Sequence, residues 1–561
     1  MNIPNPTNRW RMNEMLATAC LAIGLTIGLT ARADSSLPRL ESQGTAKRLI
    51  VDGKPFLILG GELGNSTGEP DYLRQFWPKF KALNLNSIVA PIYWDVIESS
   101  EGKFDFATVD GLIRDARAQN MKLVLLWFGT WKNSMSCYAP VWVKTNVTRF
   151  HRSQDRSGRA MEILSPFSDA NLQADIRAFR ALMKHLREVD GRDHTVVMVQ
   201  VENEIGMIPD ALDHSAVATE KFRSAVPTEL LQSLQRAGDA LMPELRAVWA
   251  ANGIKTNGTW VEIFGADAAA EEIFMAWHYA RYVQAVTVAG KAEYPLPMCA
   301  NAALIRPGYR PGQYPSAGPL PHLFDVWRAG APAIDFFAPD IYFQNFAEWA
   351  GKYTSGGNPL FIPEALRNNE ASVNAFYAFG QCDAMGFCPF GIESISETAE
   401  RLLTESFGML KQLSPLISEN VGRGTMAGLL PPAPEQKQPH QIRLGDYVLN
   451  VTYERTMPPS LADGAIVPDS ATARAGMLPP GGLVIALGTD EYLFAGMGFI
   501  VTFDSTKTDE RVGILNVQEG RFVDGQWKPT RWLNGDQTHQ GRHLRLEPGR
   551  FDIQRIKLYR Y

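Results

Sequence analysis

Three polar side chains, Glu202, Asn203 and Glu204, follow the apolar segment 196–201 of this 561-residue chain. A carboxyl group at a partly apolar strand end can have its pKa raised, which suits a general acid that protonates a leaving oxygen. The other interpretation is a solvated helix N-terminus, where the helix dipole favours carboxylates. We favour the acid, because polar groups at the lip of a buried strand are costly unless function needs them.

A second apolar segment, 359–363, ends on Glu364. Taken alone, this glutamate could equally be a helix-cap neighbour or a surface charge. Together with Glu204 it forms a pair that could flank a cleft, and hydrolysis of a glycosidic bond uses two such carboxyl groups. A retaining enzyme holds them about 5–5.5 Å apart, one as the nucleophile and the other as the acid and base.

The elements that would position this pair alternate between short apolar runs and amphipathic segments from about residue 49 to residue 394. This alternation predicts parallel strands joined by crossover helices. Eight parallel strands close a (β/α)8 barrel, whose active sites lie at the C-terminal ends of the strands. Glu204 then follows the fourth strand and Glu364 the seventh. The eight predicted strands are residues 56–60, 87–91, 122–127, 196–201, 297–300, 336–341, 360–363 and 386–390.

The apolar spacing also predicts helices, among them residues 71–83, 171–188 and 228–241. Prolines at positions 431, 432 and 434 mark a break, after which the pattern changes to short strands. The fold class predicted is therefore α/β, with a catalytic barrel at residues 34–420 and a C-terminal β-sandwich domain at residues 421–561. The strands predicted in that domain are residues 441–444, 447–453, 482–486, 491–495, 498–503, 512–519 and 521–524.

The N-terminus has the features of a signal peptide over residues 1–33. Arg9 and Arg11 precede an apolar run, and Ala31 and Ala33 supply the small residues of a cleavage site. We therefore expect an exported protein, periplasmic or extracellular. The apolar run is too short to span a membrane, and a net charge of −5 argues against a nucleic-acid partner.

The cysteines allow two interpretations. Cys382 and Cys388 are close in sequence and could form a disulfide in an oxidising compartment, or they could be buried free thiols. The spacing of the cysteines and of the nine histidines matches no zinc pattern. We therefore predict no required metal and no other cofactor.

Several motifs make the sequence specific enough for a family resemblance. The segments QVENEIG at residues 200–206, FLILGGE at 56–62, APIYWDVIE at 90–98 and EGKFDF at 101–106 are similar to motifs of glycoside hydrolase family 35, the β-galactosidases of clan A. The resemblance covers roughly residues 45–400. The C-terminal segment resembles the small β-domain that a bacterial branch of this family carries.

The resemblance implies roles for individual residues. Glu204 would be the acid/base and Glu364 the nucleophile, and Asn203 would bind the sugar 2-hydroxyl. Tyr342 would contact the nucleophile, the alternative being an ordinary aromatic at the barrel rim. Tyr93 would contact the sugar.

The loop after the third predicted strand departs from the family. Its residues 128–134 read FGTWKNS and lack the glutamate with which the family usually binds galactose hydroxyls. Lys132 and Asn133 could replace that glutamate as hydroxyl partners. Trp131 could stack on the apolar face of a sugar or simply pack within the loop.

These features predict a retaining exo-glycosidase that removes terminal β-galactose from oligosaccharides of plant cell walls, such as the side chains of xyloglucan. One alternative keeps the reaction and changes the sugar, giving an arabinosidase, a glucosidase or a mannanase. Another is a non-catalytic sugar-binding protein on the same barrel. Whether the C-terminal domain binds glycans stays open, and the sequence does not give the oligomeric state.

Overall fold

The structure, a computed structural model, describes Met1 and residues 37–432, 439–456 and 477–561. Apart from Met1, the predicted signal peptide at residues 1–33 lies outside these residues, and so does part of the proline-rich break. Across the described ranges, no helix combines the length and the hydropathy that crossing a membrane requires.

Eight parallel strands close into a barrel, as predicted. We number them barrel strands 1 to 8 in chain order. Most of them are buried along their whole length, which is why their sequences are apolar on both faces. Their bounds are Ile58–Glu62, Ser87–Tyr93, Lys122–Lys132, Val196–Asn203, Met298–Ala303, Phe336–Ile341, Phe361–Ala365 and Gly386–Pro389.

Helices follow every barrel strand and cover the outside of the barrel. The crossover helices are Trp77–Ala82, Ala107–Ala118, Asp169–Asp190, Ala268–Glu293, Phe324–Gly330, Phe346–Tyr353, Ala371–Gln381 and Glu397–Asn420. Shorter helices occupy the connections, at Pro70–Leu73, Trp94–Ile97, Val141–Lys144, Ala216–Arg223, Thr228–Ala237, Pro243–Ala251 and Trp260–Phe264.

Two helix predictions need correction. The segment 71–83 is two helices separated by a 3-10 turn, Arg74–Phe76. Pro78 explains the break, because proline in a helix interior lacks the amide N–H and clashes with the carbonyl four residues earlier. It is accommodated instead in the first turn of the second helix. The helix predicted at 228–241 ends at Ala237, since Gly238 adopts a positive φ of 52°.

Two small antiparallel sheets accompany the barrel. The first contains Arg39–Gln43, Ala46–Val51 and Lys54–Pro55, and it places Leu49 and Val51 in the same apolar cluster as the barrel interior. The second pairs Arg152–Gln154 with Ala160–Leu164 in the insertion after barrel strand 3.

The C-terminal region is a sandwich of two antiparallel sheets, as predicted. Side chains of both sheets share one apolar core, for example Leu449 and Val501 with Val484 and Phe494. The two strands predicted at 512–519 and 521–524 are one continuous strand, and four strands had no counterpart in the prediction. The six-stranded sheet contains Met426–Leu429, Gly481–Gly488, Glu491–Met497, Val512–Val523, Gln526–Trp532 and Asp552–Arg560, and the four-stranded sheet contains His440–Leu444, Tyr447–Tyr453, Phe499–Ser505 and Leu544–Leu546.

Cys382 and Cys388 are both buried free thiols, the second of the two interpretations that the sequence allows.

The sandwich packs on the helix Ala371–Gln381, which directly follows barrel strand 7. Leu483 and Ile485 from the six-stranded sheet belong to the same hydrophobic core as the barrel helices. The rings of Phe376 and Phe551 stack across this contact with their centroids 5.7 Å apart. The domain therefore covers an apolar helix face that solvent would otherwise reach.

The close approach at this contact predicts a stability effect. A Cβ on Gly380 would lie 2.8 Å from the Leu483 Cβ and 3.0 Å from the Ala427 carbonyl oxygen. We expect Gly380→Ala to lower the free energy of unfolding by about 1–3 kcal/mol, because overpacking forces the two elements apart. Thermal unfolding followed by circular dichroism measures the change.

Gly351→Ala is the matched control, because Gly351 also lies within a helix and has nothing within 4 Å of its would-be Cβ. Alanine should leave the melting temperature there unchanged or raise it, since glycine costs about 0.5–1 kcal/mol in a helix interior. Equal melting temperatures for the two variants would contradict the close packing described for Gly380.

Candidate active site

Four carboxyl groups meet at the C-terminal ends of the barrel strands. Glu62 ends barrel strand 1, Glu204 follows strand 4, Asp340 lies on strand 6 and Glu364 on strand 7. All four residues are at most 4% exposed. One oxygen each of Glu204, Asp340 and Glu364 lie within 4.8 Å of one another. The two carboxyl groups predicted to act together are thus brought together by the barrel.

Hydrogen bonds fix both oxygens of Glu364. The Tyr342 hydroxyl donates to Oε2, and the Asn203 side-chain nitrogen donates to Oε1 at 3.2 Å. Burial, and then the charge of Glu364, raises the pKa of Tyr342, so that its hydroxyl keeps its proton. The contact between Tyr342 and Glu364 is the one that the family resemblance implied, whereas the contact of Asn203 with Glu364 was not predicted. Together the two hydrogen bonds hold Glu364 in a single orientation.

Glu204 has a different environment. Burial and the charge of Glu364 raise its pKa to about 7, while Lys132 and hydrogen bonds from Asp340 and Asn133 act in the opposite direction. Its backbone N–H donates to Asn301 Oδ1 at 2.8 Å. A carboxyl group with this pKa is protonated in a substantial fraction of molecules at neutral pH, which a general acid requires.

The backbone around Glu204 is strained. Glu202 has a φ of 63° and Glu204 a φ of 45°, in the left-handed region that non-glycine residues rarely adopt. Side chains that alternate between the two faces of barrel strand 4 therefore stop doing so at Glu202. Glu202 points into a separate buried cluster, where its Oε2 accepts a hydrogen bond from the Trp131 backbone N–H at 2.7 Å. Such strain persists where the surrounding structure holds it, and this occurs commonly at functional sites.

The extended end of barrel strand 3 provides part of that support. Lys132 pairs with Asn203, and the backbone N–H groups of Asn133 and Ser134 donate to the carbonyl groups of Asn203 and Glu204. Asn133 and Ser134 also have positive φ angles, of 49° and 68°. The sequence predicts Asn133 as a partner of sugar hydroxyls; in the structure its side-chain nitrogen donates to Glu204 Oε2 instead.

Lys132 is the cation among the four carboxyl groups. It is 5% exposed, and its ammonium lies 5.2 Å from the centroid of the Phe128 ring. Burial alone would lower the pKa of Lys132, but the negative charges around it outweigh burial and raise the pKa. Lys132 is thus a permanent positive charge in the site, in a position where it could still bind a hydroxyl group.

Trp131 does not face the site. Its ring is completely buried, its indole N–H donates to the Leu164 carbonyl at 3.0 Å, and it packs edge-on against Tyr279 and Tyr282. The prediction that it stacks on a sugar is therefore wrong, and the packing alternative is right.

Tyr93 is nearly buried at the end of barrel strand 2. Its ring stacks on Tyr138 at 5.4 Å, and its hydroxyl accepts a hydrogen bond from the Gly68 backbone N–H. A contact between Tyr93 and the sugar stays a prediction.

Glu62 and Asp340 are two acids of the site for which the sequence predicted no role. Asp340 accepts a hydrogen bond from the Asn301 side chain at 2.6 Å, and burial and the charge of Glu364 raise its pKa well above the usual range. Each of the two acids ends or nearly ends an apolar strand, the same signal that identified Glu204. The sequence predicted the closed barrel, but it did not show which of the other strand-end acids point toward Glu204 and Glu364.

Three of the four carboxyl groups, which we call the acid cluster together with Glu62, also have the spacing of a cation site. Glu204, Asp340 and Glu364 are the group that the described residues offer to a metal ion. Lys132 already supplies positive charge there, and amide and hydroxyl donors already engage the carboxylates. This donor set suits hydrogen-bonded carboxyl groups, and the absence of a required metal stays a prediction.

The hydrogen bond from Asn133 predicts a change in the titration of Glu204. Because this bond lowers the pKa of Glu204, Asn133→Ala should raise that pKa above its value of about 7. Carboxyl 13C NMR of glutamate-labelled protein, assigned by difference against Glu204→Gln, measures the titration midpoint.

Asn345→Ala provides the control. Asn345 donates a similar hydrogen bond to Glu348 at 2.6 Å on the surface of the barrel, so its loss should leave the Glu204 midpoint in place. A Glu204 midpoint that is the same in both variants would show that Asn133 does not act on Glu204.

Parts of this chain are similar to known proteins. Residues 48–242 match the model described as glycosyl hydrolases family 35, and residues 403–545 match a domain of unknown function, DUF5597. A β-galactosidase of Xanthomonas manihotis is 27% identical over 221 residues, which are 37% of this chain and 33% of that protein. This chain therefore spans about a third of the length of that curated relative.

Solved structures of β-galactosidases are also similar to this chain. That of Bacillus circulans sp. alkalophilus has a TM-score of 0.46 at 15% identity, over 64% of this chain and 57% of the other. That of Rahnella sp. R3 has a TM-score of 0.45 at 14% identity, over 65% and 57%. The match to the model of glycosyl hydrolases family 35 covers residues 48–242, which contain barrel strands 1 to 4 and the segment that carries Glu204.

Proposed function

We propose that this protein is a retaining β-galactosidase that removes terminal galactose from oligosaccharides, including those of plant cell walls such as xyloglucan. One observation carries the reaction type: the oxygens of Glu204 and Glu364 approach within 4.8 Å. Inverting enzymes separate their carboxyl groups by about 6.5–9.5 Å to admit a water molecule, whereas retaining enzymes use about 5–5.5 Å. The sugar rests on the family and on the curated relative, a β-galactosidase.

Glu364 is the nucleophile of this mechanism. A carboxylate oxygen attacks the anomeric carbon and forms a glycosyl ester, while the bond to the leaving oxygen breaks. Tyr342 and Asn203 hold the carboxylate in one orientation, which reduces the entropy lost on reaching the transition state.

Glu204 moves the proton in both steps. With a pKa of about 7, it is available as an acid and gives its proton to the leaving oxygen. The resulting carboxylate then takes a proton from water, and the hydroxide so generated displaces Glu364 and releases the sugar with its original anomeric configuration.

Asn203 is suited to bind the sugar 2-hydroxyl. Its side-chain nitrogen is used by Glu364, but its oxygen Oδ1 is buried without a partner among the described residues. A 2-hydroxyl could donate to this oxygen, a contact that strengthens in the transition state.

A different sugar is the second candidate. It is favoured by Lys132, which occupies the strand 3 loop where the family usually carries a glutamate that binds galactose hydroxyls. The reaction would be the same with an arabinoside, a glucoside or a mannoside. We further propose export to the periplasm or the cell exterior, on the basis of the N-terminal sequence.

The two carboxyl roles predict different behaviour of Glu204→Ala and Glu364→Ala. On a galactoside with a poor leaving group, Glu204→Ala should lose about 10²- to 10⁴-fold in kcat/KM, because no acid protonates the leaving oxygen. A dinitrophenyl galactoside needs no protonation, so this variant should release one rapid equivalent of dinitrophenolate and then stall. Glu364→Ala should show no burst with either substrate. Stopped-flow absorbance separates the two patterns.

Glu188→Gln is a control for removing a glutamate, because Glu188 lies exposed on the outside of the barrel. The activity of this variant should equal that of the wild type. A burst in Glu364→Ala, or wild-type turnover in either alanine variant, would contradict the assignment.

The sugar and the stereochemistry are tested together. Nitrophenyl β-galactoside, α-L-arabinoside, β-glucoside and β-mannoside are compared by kcat/KM, and proton NMR follows the first anomer released. We expect the galactoside to be the preferred substrate and the β-anomer to appear first. Initial release of the α-anomer would exclude a retaining mechanism, and preference for another glycoside would replace galactose. Binding of these sugars without turnover would support the sugar-binding alternative.

A further inference from the structure

The acid cluster contains a carboxyl group that the proposed mechanism does not use. Glu62 is completely buried, and neither of its oxygens has a hydrogen-bond donor among the residues that the structure describes. A buried polar group left without a partner costs about 1–3 kcal/mol, and a charged one costs more. Besides the hydrogen bond between the Glu62 and Glu364 carboxyl groups, a residue in this state at the end of a barrel strand can accept a hydrogen bond from a ligand.

The backbone is built to hold Glu62 in this place. Barrel strand 1 approaches the loop after strand 8 so closely that a Cβ on Gly61 would lie 2.7 Å from Ile392. Glu62 itself forms a parallel bridge to Phe390. Two adjacent glycines, Gly60 and Gly61, thus allow the strand to bring the Glu62 carboxyl group beside Glu364.

Other polar groups converge on the same space. Oδ1 of Asn203 is buried without a partner among the described residues, and Asp340 lies beside it with its carboxyl group engaged by Glu204 and Asn301. The charges of Lys132, Glu204 and Glu364 act on Glu62, which places its carboxyl group among them. A sugar ring at Glu364 would bring several hydroxyl groups into this region, and each hydroxyl can both donate and accept.

We propose that Glu62 is a specificity-determining residue that binds a ring hydroxyl of the sugar held at Glu364, and that Lys132 donates to the same or the neighbouring hydroxyl. This inference rests on the proposed function. It assigns part of the recognition of the sugar to Glu62 at the end of barrel strand 1. The hydroxyl donates to one Glu62 oxygen, which removes the penalty of the unpartnered carboxyl group.

The electrostatics agree with this role. Burial and the negative charges of Glu364 and Glu204 raise the pKa of Glu62 well above the usual range, against the effect of Lys132. A neutral carboxyl group can donate as well as accept, which matches the chemistry of a hydroxyl. The competing role is purely internal: Glu62 could share a proton with Glu364 and act on the nucleophile alone.

Deoxy substrates distinguish the two roles. Wild type, Glu62→Ala and Glu62→Gln are compared by kcat/KM on nitrophenyl β-galactoside and its 2-, 3-, 4- and 6-deoxy analogues. We expect Glu62→Ala to lose about 10- to 100-fold on the parent, the usual range for a hydrogen bond involving an ionisable group. On the one analogue that lacks the bound hydroxyl, the loss should fall below about 3-fold. Glu62→Gln should give a smaller loss with the same pattern.

Stability gives an independent measurement. Removing an unpartnered buried carboxyl group should leave the melting temperature of Glu62→Ala unchanged or raise it, whereas a structural role would lower it. Glu98→Gln is the matched control, because Glu98 is equally buried but is bonded to Trp94 and Gly102. For Glu98→Gln, the ratio of kcat/KM on each deoxy analogue to kcat/KM on the parent galactoside should equal that of the wild type.

Each outcome is decisive. An equal loss on the parent and on all analogues, with an active wild type, would overturn the role of Glu62 and leave the proposed function intact. A lowered melting temperature together with equal losses would assign Glu62 a structural role. Absence of wild-type turnover on every glycoside would overturn the proposed function, and this inference with it.

Discussion

The site depends on one electrostatic constraint: four carboxyl groups and a single ammonium share a buried space. Two like charges about 4 Å apart repel by about 4 kcal/mol at an effective dielectric constant of about 20, so the four acids cannot all be ionised. Burial and mutual repulsion raise the pKa of Glu62, Glu204 and Asp340. Shared burial and repulsion thus oppose ionisation of Glu62, Glu204 and Asp340, and the pKa of Glu204, about 7, lies near neutral pH.

The barrel holds the four carboxyl groups in place through rigid strands and through hydrogen-bond donors at the strand ends. The strands are buried on both faces, and the donors to the acids come from strand ends or from residues adjacent to them. The turn after barrel strand 3 is held by hydrogen bonds to strand 4. Gly129, within strand 3, permits close packing there, since a Cβ at this position would lie 2.2 Å from the Trp127 indole nitrogen and 2.8 Å from Glu202 Oε1. Substitution at Gly129 would thus crowd the Glu202 carboxyl group directly and disturb the strand end that carries Glu204.

Much of this arrangement could be predicted from the sequence. The strands of a buried parallel sheet are recognisable from short apolar segments of the sequence, which is why all eight barrel strands were predicted. Glu204 was identifiable because it directly follows one of these segments. The roles of Glu364 and Tyr342 required the barrel register and the family resemblance. Glu62 and Asp340 were missed because their partners lie on other strands. The hydrogen bond from Asn133 to Glu204 was not predicted, because it accompanies a left-handed backbone at Asn133 that no local pattern indicated.

The packing of the C-terminal sandwich on the helix Ala371–Gln381 has a consequence for biosynthesis. That helix stands directly behind the strand that carries Glu364, yet the sheet that covers it is encoded only after residue 425. As the chain leaves the ribosome, the eighth strand can close the barrel while the outer face of this helix still exposes apolar residues. The support of the strand that carries Glu364 is therefore completed by residues translated last, and until they emerge the exposed helix face favours aggregation.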